Sequence, residues 1–527
     1  MSVDVDVLVV GAGITGIYQL YTTREAGFSV RLLEAGDGVG GTWFWNRYPD
    51  ARFDSESYTY GYFFSQELFD EWEWSEHFAA QPEIERYLNH VVDRFDLRQH
   101  MRFGARVESS VYDEGARTWT VTTNDGSTHR ARFLVAATGV LSIPYYPDVP
   151  GREAFAGEQY HTARWPQTPV DVRGKRVAVI GTGSSGVQIV PAIAPEVAEL
   201  VVYQRGANWC TPLNNSPITP DEQARLRAEF DRIRKVCNTS YSGFLHEPND
   251  RLWADDTPEQ HQAFYEQMWN SPGFSTLISH YRDVMTDRTA NRDWCEFLSG
   301  KIRSIVADPA TADKLIPNDH WFGQKRPPFV NGYYEAFNRP NVSLVDLKAT
   351  PMTRVTETGI ETSDGLREFD LIVWATGFDF GTGALNRMGI RGRDGRALEH
   401  DWVDGPHTYL GVCCVGYPNL FFPAGPHAAM GNNPRYASDQ VDFVTDLLVW
   451  ARDHGHTEVE IGAAAEAEWT DMVDTNAAFG FSRASYFFGS NVPGKPVKYL
   501  LNPLGRPKLF EEIGKVVDSG YAAFEVR

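Results

Sequence analysis

Two segments of this chain each place three glycines in G-x-G-x-x-G spacing directly after an apolar run, and nothing else in the sequence narrows the fold so sharply. The first, DVDVLVVGAGITGIYQLYTTREAGFSVRLLEAG, carries Gly11, Gly13 and Gly16; the second, GKRVAVIGTGSSGVQIVPAIAPEVAELVVYQRG, carries Gly181, Gly183 and Gly186. Each runs from an apolar stretch through a glycine turn and a helical stretch to a second apolar stretch, the βαβ pattern of a dinucleotide-binding unit. The spacing alone is a weak signal, but a strand before it and a helix after it make it specific. Two such units predict an α/β chain with two Rossmann-like dinucleotide-binding domains and two bound dinucleotides.

The residues closing the two second strands tell the sites apart. Glu34 stands 23 residues after Gly11, where a carboxylate accepts hydrogen bonds from the ribose hydroxyls of an adenosine. Arg205 holds the corresponding place, 24 residues after Gly181. A guanidinium cannot accept from a hydroxyl, but its forked donors suit a 2′-phosphate. The first site therefore reads as FAD and the second as NADPH, with Thr182, Ser184, Ser185 and Gln188 expected around the pyrophosphate at the helix N-terminus.

Between about residues 215 and 315 the text turns polar and helical (TPDEQARLRAEFDRIRKV, TPEQHQAFYEQMW), which predicts a helical insertion in the second unit. Strand text resumes at NVSLVDLKA and FDLIVWATGFD. An Ala-Thr-Gly turn follows a strand in each unit, Ala137-Thr138-Gly139 and Ala375-Thr376-Gly377, and marks the chain's passage between nucleotide domains. The expected division is 1–140 with 381–527 for FAD, 141–214 with 316–380 for NADP, and 215–315 for the insertion.

Charge and cysteine content exclude several functions. With 49 Lys+Arg against 70 Asp+Glu the formal net charge is −21, which repels nucleic acid and anionic lipid, so any phosphate site must be local. Five cysteines without a CxxC argue against a disulfide framework, a zinc site and a redox dithiol; Cys413 and Cys414 read as buried strand residues. No apolar run is long enough to cross a membrane, and MSVDVDVLVVGAG enters a strand without a basic leader, so the expected location is the cytoplasm.

Two further stretches resemble the type I Baeyer–Villiger monooxygenases, flavoenzymes of the cyclohexanone monooxygenase kind. FAGEQYHTARWP matches the signature F-x-G-x-x-x-H-x-x-x-W-P through Phe155, Gly157, His161, Trp165 and Pro166, and GGTWFWNRYPDARFD supplies Gly41, Trp43, Tyr48, Pro49 and Asp54. The resemblance extends from GAGITG to SYFFGSNVPGK. It implies a flavin-dependent monooxygenase that uses NADPH, dioxygen and a C4a-peroxyflavin to convert a ketone, cyclic or bulky alicyclic, into an ester or lactone. It implies that Arg326, in FGQKRPP, is the catalytic cation and Asp54 the carboxylate that orients it. It places Lys325 with Arg205 at the 2′-phosphate, and Thr42, Trp43, Tyr60 and, through its backbone, Val107 at the flavin. His161 is expected to couple domain position to NADPH binding.

Three departures stand out. Asp50 replaces a usual glycine and adds a negative charge near the flavin. Tyr486 takes the place of a tryptophan that touches the nicotinamide ribose. The loop GPHAAMGNNPRYA, whose small residues suggest a roomy ketone site, lies where relatives differ most. The competing readings are an N- or S-oxidising flavin monooxygenase and a non-catalytic redox sensor binding both nucleotides; a sensor has no need of Arg326.

Overall fold

The computed structural model describes residues 3–477 and 481–527. The first glycine unit builds an eight-stranded sheet. Val5–Val10 pairs in parallel with Val30–Leu33 on one side and Thr128–Ala136 on the other. Val7, Leu8 and Val9 are fully buried, as expected of a strand covered on both faces, whose sequence is a continuous apolar run rather than an alternation. Antiparallel strands Val107–Asp113 and Thr118–Thr123 widen the sheet. The chain returns to it late, through Ile390–Arg391 and Leu420–Phe421. Helix Asn433–Asp453 then packs on Ile14–Glu25, pinned by Gln19 to Thr445 (3.0 Å) and Tyr18 to Asp442 (2.7 Å).

The second unit builds a five-stranded, all-parallel sheet in the order Val342–Asp346, Glu199–Gln204, Arg176–Ile180, Leu371–Trp374, Glu158–His161. The Thr-rich text around residues 352–368 forms a three-stranded antiparallel ribbon beside it.

Both glycine turns are enforced by close approach. Gly11 and Gly181 have φ of 106° and 109°, a region open to glycine but strained for other residues. A Cβ on Gly16 would lie 1.8 Å from the Gly11 carbonyl oxygen, and one on Gly186 would lie 2.1 Å from that of Gly181. The paired Ala-Thr-Gly turns explain the first glycines as well, because Cβ atoms there would meet the carbonyls of Ala137 and Ala375 at 2.6 and 2.3 Å.

The segment from 220 to 315 is helical, and its helices start on local signals. Thr219, Thr257, Asp287 and Asp308 each cap a helix by accepting from a first-turn N–H, and proline follows three of them at the first position. Its aromatic core centres on Phe264, Tyr265, Tyr281 and the fully buried Trp294. Cys413 and Cys414 are buried, but they lie in a turn stitched by one bridge to Tyr409, not in a strand. Among the described residues no helix is long and apolar enough to cross a membrane.

Candidate active site at the junction of the two nucleotide units

On the first unit, helix Ile14–Glu25 begins at Gly13 with no side-chain cap, so its leading N–H groups are available to an anion. Gly41 turns back over this loop at φ 54°, and a Cβ on it would sit 2.6 Å from the Gly13 Cα. The Glu34 carboxylate is buried and accepts from the N–H groups of Ala12 and Gly36, each at 2.7 Å. Burial pushes its pKa up against the pull of those donors. A carboxylate has roughly four acceptor positions, which leaves two for ribose hydroxyls. Trp43 donates through Nε1 to the Tyr60 hydroxyl at 2.9 Å, and burial pushes the Tyr60 pKa up to about 12. Thr42 is exposed at the start of Thr42–Trp45, and Val107 opens its strand in a buried position.

This set fits FAD: an uncapped helix start without a Cβ for the pyrophosphate, an acceptor for the ribose and an aromatic wall. Purified protein should therefore be yellow and carry about one FAD per chain, released as free FAD on denaturation. The flavin absorbance ratio checks this, and a colourless protein that takes up no FAD would contradict it.

The second unit repeats the arrangement. Helix Ser184–Ile193 starts after Gly183 without a side-chain cap, and a Cβ on Gly183 would enter open space. Thr182 donates to the Gly206 carbonyl at 3.2 Å. Gln188 departs from expectation: its amide accepts from the Tyr48 hydroxyl (2.7 Å) and donates to the Arg52 carbonyl (3.1 Å). The side chain joins the two units through these contacts, so both ends of its amide are already engaged.

Arg205 is exposed at the end of Glu199–Gln204. Lys325 reaches Asp319 at 3.5 Å, and Lys348 reaches the same carboxylate at 3.0 Å. A Cβ on Gly206 would lie 3.8 Å from both Asp319 Oδ2 and Lys348 Nζ, so this cluster adjoins Arg205. Lys348 was not singled out from the sequence. Only the pairing of Asp346 with Gln204 brings its strand end beside that of Arg205, and this neighbour relation is invisible without the sheet order.

Arg326 spans the two halves. One guanidinium nitrogen pairs with Asp54, from the flavin-side segment; another donates to Ser184 Oγ at 2.7 Å, on the first turn of the second unit's helix. The Phe274 ring lies under it at 5.5 Å. Burial works to lower its pKa, but Asp54, with Tyr486 and Tyr48 nearby, more than offsets this and leaves it above the ordinary arginine value. The charge is thus permanent and its direction fixed. Tyr486 stacks edge-on against Phe380 at 5.1 Å, and burial pushes its pKa up to about 12, so it is a neutral donor beside Arg326.

Asp50 adopts φ 63°, which accounts for glycine as the usual residue; Asp is among the few others that tolerate this region. Its added charge does not stand free near the flavin, because Arg52 takes its carboxylate through Nη2 (2.5 Å) and Nε (3.1 Å).

The signature residues are mostly structural. Phe155 and Trp165 are buried in the second unit's cores, and a Cβ on Gly157 would collide with the Phe155 ring at 2.6 Å and the Asp370 carbonyl at 2.7 Å. His161 is buried. Its Nδ1 accepts from Ala163 N–H at 3.0 Å, leaving Nε2 to donate to the Tyr145 carbonyl at 3.2 Å. Burial pushes its pKa down to about 4, so it is neutral at neutral pH and fastens the linker to the second sheet. His161→Ala should slow turnover with FAD content unchanged, because it loosens the orientation of the units. Wild-type behaviour in both half-reactions would exclude that role.

In the loop at 425–436, Gly431 abuts Ser242, whose carbonyl would lie 2.2 Å from a Cβ, and Asn432 N–H donates to the same carbonyl at 2.8 Å. Gly431 thus serves close packing against the helical insertion, while Gly425 packs on Phe422.

Residues 8–260 match the family described as pyridine nucleotide-disulphide oxidoreductase. Here the match follows the dinucleotide fold, since all five cysteines are unpaired. The chain is 43% identical to 2-oxo-Delta(3)-4,5,5-trimethylcyclopentenylacetyl-CoA monooxygenase of Pseudomonas putida, over 90% of this chain and 88% of that protein. It is 40% identical to acetone monooxygenase (methyl acetate-forming) of Gordonia sp., over 95% of each. OTEMO, solved in complex with FAD and NADP, superposes with a TM-score of 0.96 at 40% identity over the full length of both chains. With both glycine cradles in place and likeness of this degree along the whole chain, the protein belongs to the FAD-containing, NADPH-dependent Baeyer–Villiger monooxygenases.

Proposed function

We propose that the chain oxidises cyclic or bulky alicyclic ketones in the cytoplasm, with Arg326 as the cation at the reacting oxygens and Asp54 as its orienting partner. In the balanced reaction, ketone, dioxygen, NADPH and a proton give ester or lactone, NADP⁺ and water. One oxygen atom enters the product beside the carbonyl and the other leaves as water. FAD, when bound, supplies the activation of dioxygen.

The chain's own residues do the rest. The two uncapped helix starts hold the pyrophosphates, Glu34 holds the adenosine ribose of FAD, and Arg205 with Lys325 holds the 2′-phosphate. Arg326 is fixed by Asp54 and Ser184 before any charge develops, so little reorganisation is needed when an oxygen beside it becomes negative. Tyr486 stands next to it as a neutral donor toward the nicotinamide end. The observation that carries this reading is the bridging of Arg326 between Asp54 and Ser184, which places a permanent cation where the two nucleotide units meet.

The ring preference rests on the ring-bearing substrate named for the Pseudomonas putida relative. Incubation with NADPH, dioxygen and ketones ranging from acetone to steroid size, followed by mass spectrometry, tests it. Products 16 mass units heavier should come chiefly from ring ketones; turnover confined to acetone-sized substrates would overturn the preference.

A further inference from the structure

One side-chain amide anchors the main chain at Arg326. Asn208 Nδ2 donates to the Arg326 carbonyl at 2.9 Å, and Asn208 Oδ1 accepts from Trp209 N–H at 3.0 Å. These partners fix the amide's orientation, because a flipped amide would set oxygen against oxygen and N–H against N–H. His320 Nε2 then faces Asn208 Oδ1 at 3.2 Å, while its Nδ1 faces Asp319 Oδ1 at 2.5 Å. Trp209 Nε1 donates to the main-chain carbonyl of His320 at 3.0 Å.

Both ring nitrogens thus meet acceptors. A neutral imidazole carries one N–H, so both contacts are hydrogen bonds only when the ring is protonated. The groups acting on this charge are few. Burial opposes it most, Asp319 favours it, and the cations Lys325 and Lys348 add to the opposition, so that the pKa of His320 is held below its ordinary value. Arg288 and Arg292, from helix Arg288–Ile305, line the same cavity of about 470 Å³ as Asp319 and His320 and act in the same sense as the lysines.

Asp319 is therefore shared between two clients, the lysine pair and His320. A phosphate dianion that engages the lysines offsets their charge and leaves the Asp319 carboxylate to His320. We infer that Asp319, His320 and Asn208 form a positioning relay, through which occupancy of the 2′-phosphate site firms the main chain of Arg326. The relay rests on the assignment of that site to Arg205 and Lys325. It gives the 2′-phosphate, far from the nicotinamide, a means of signalling that the correct cofactor is seated.

The test uses the FAD-loaded protein and adenosine 2′,5′-bisphosphate, which carries the phosphate but no nicotinamide. Calorimetry reports its binding, and flavin absorbance reports whether binding is felt beside Arg326. The wild type should bind it and shift its flavin spectrum, and adenosine 5′-monophosphate should give no shift. His320→Ala and Asn208→Ala should keep FAD and bind the bisphosphate nearly as tightly, yet lose the shift. A full shift retained in both variants, or binding to the wild type without a shift, would overturn the relay. Undiminished bisphosphate binding in Arg205→Ala would instead remove the phosphate-site assignment beneath it, so the two failures are distinguishable.

Discussion

Arg326→Ala should retain its FAD and still be reduced by NADPH, yet form ester or lactone some ~10²–10³-fold more slowly, the usual cost of removing one preorganised charge-stabilising donor. The dioxygen it consumes should appear as hydrogen peroxide. Hydride transfer from NADPH develops no oxyanion, so the cation matters little there; the steps that follow put negative charge on oxygen, and stabilising it is the role proposed for the guanidinium. The geometry makes this separation credible. Asp54 and Ser184 hold the group from opposite units, and only Ser184 lies in a glycine turn, that of the second unit, so the substitution leaves the first glycine cradle untouched. Stopped-flow reduction combined with product and peroxide assays checks the prediction. Product formed at the wild-type rate would remove Arg326 from the chemistry and favour an N- or S-oxidising enzyme, whose substrates need no stabilised carbonyl oxyanion.

The parts of this site that could be read from the sequence are those whose physical cause is local. Gly16 must be glycine because the turn brings the Gly11 carbonyl oxygen within 1.8 Å of a would-be Cβ, and a contact five residues apart leaves its mark in the spacing. Glu34 and Arg205 are legible for a similar reason: a strand end has a fixed distance from the turn that precedes its helix. The helical insertion is legible through its caps. By contrast, Phe155, Gly157 and Trp165 make the family recognisable while acting as packing residues, so motif specificity and chemical role are separate matters.

What escaped the sequence is set by tertiary neighbours. Nothing near Asp50 in the chain says that its carboxylate is paired; Arg52 is two residues away, and only the folded geometry shows the contact through two of its guanidinium nitrogens, with Glu76 sharing the same cation. Lys348 joins Lys325 at Asp319 through a strand pairing some 140 residues distant in the chain. The Gln188 amide sits in the first turns of the correct helix, yet Tyr48 and Arg52 claim it from the other unit. In each case the residue type was visible and its partner was not.

Arg205→Ala should weaken NADPH binding by about one decade and leave NADH nearly unchanged. A charge-assisted hydrogen bond is worth ~1.5–3 kcal/mol, and solvent screening at an exposed arginine brings the expected loss to the lower end. Lys325 and Lys348 keep part of the attraction, which is why the loss should not be larger, and Asp319 holds both in place in the variant. Because Arg205 is exposed, its contribution should also fall with ionic strength. Raising salt should therefore narrow the gap between wild type and variant for NADPH, with no matching trend for NADH. Lys348→Ala is expected to act in the same direction, since it removes one phosphate partner and leaves the Asp319 carboxylate less compensated beside the incoming dianion. Dissociation constants for both cofactors at two salt concentrations decide the matter. Equal losses for NADPH and NADH would mean that Arg205 supports the adenosine fold of the site and not its 2′-phosphate, and discrimination between the cofactors would then have to come from the lysine pair alone.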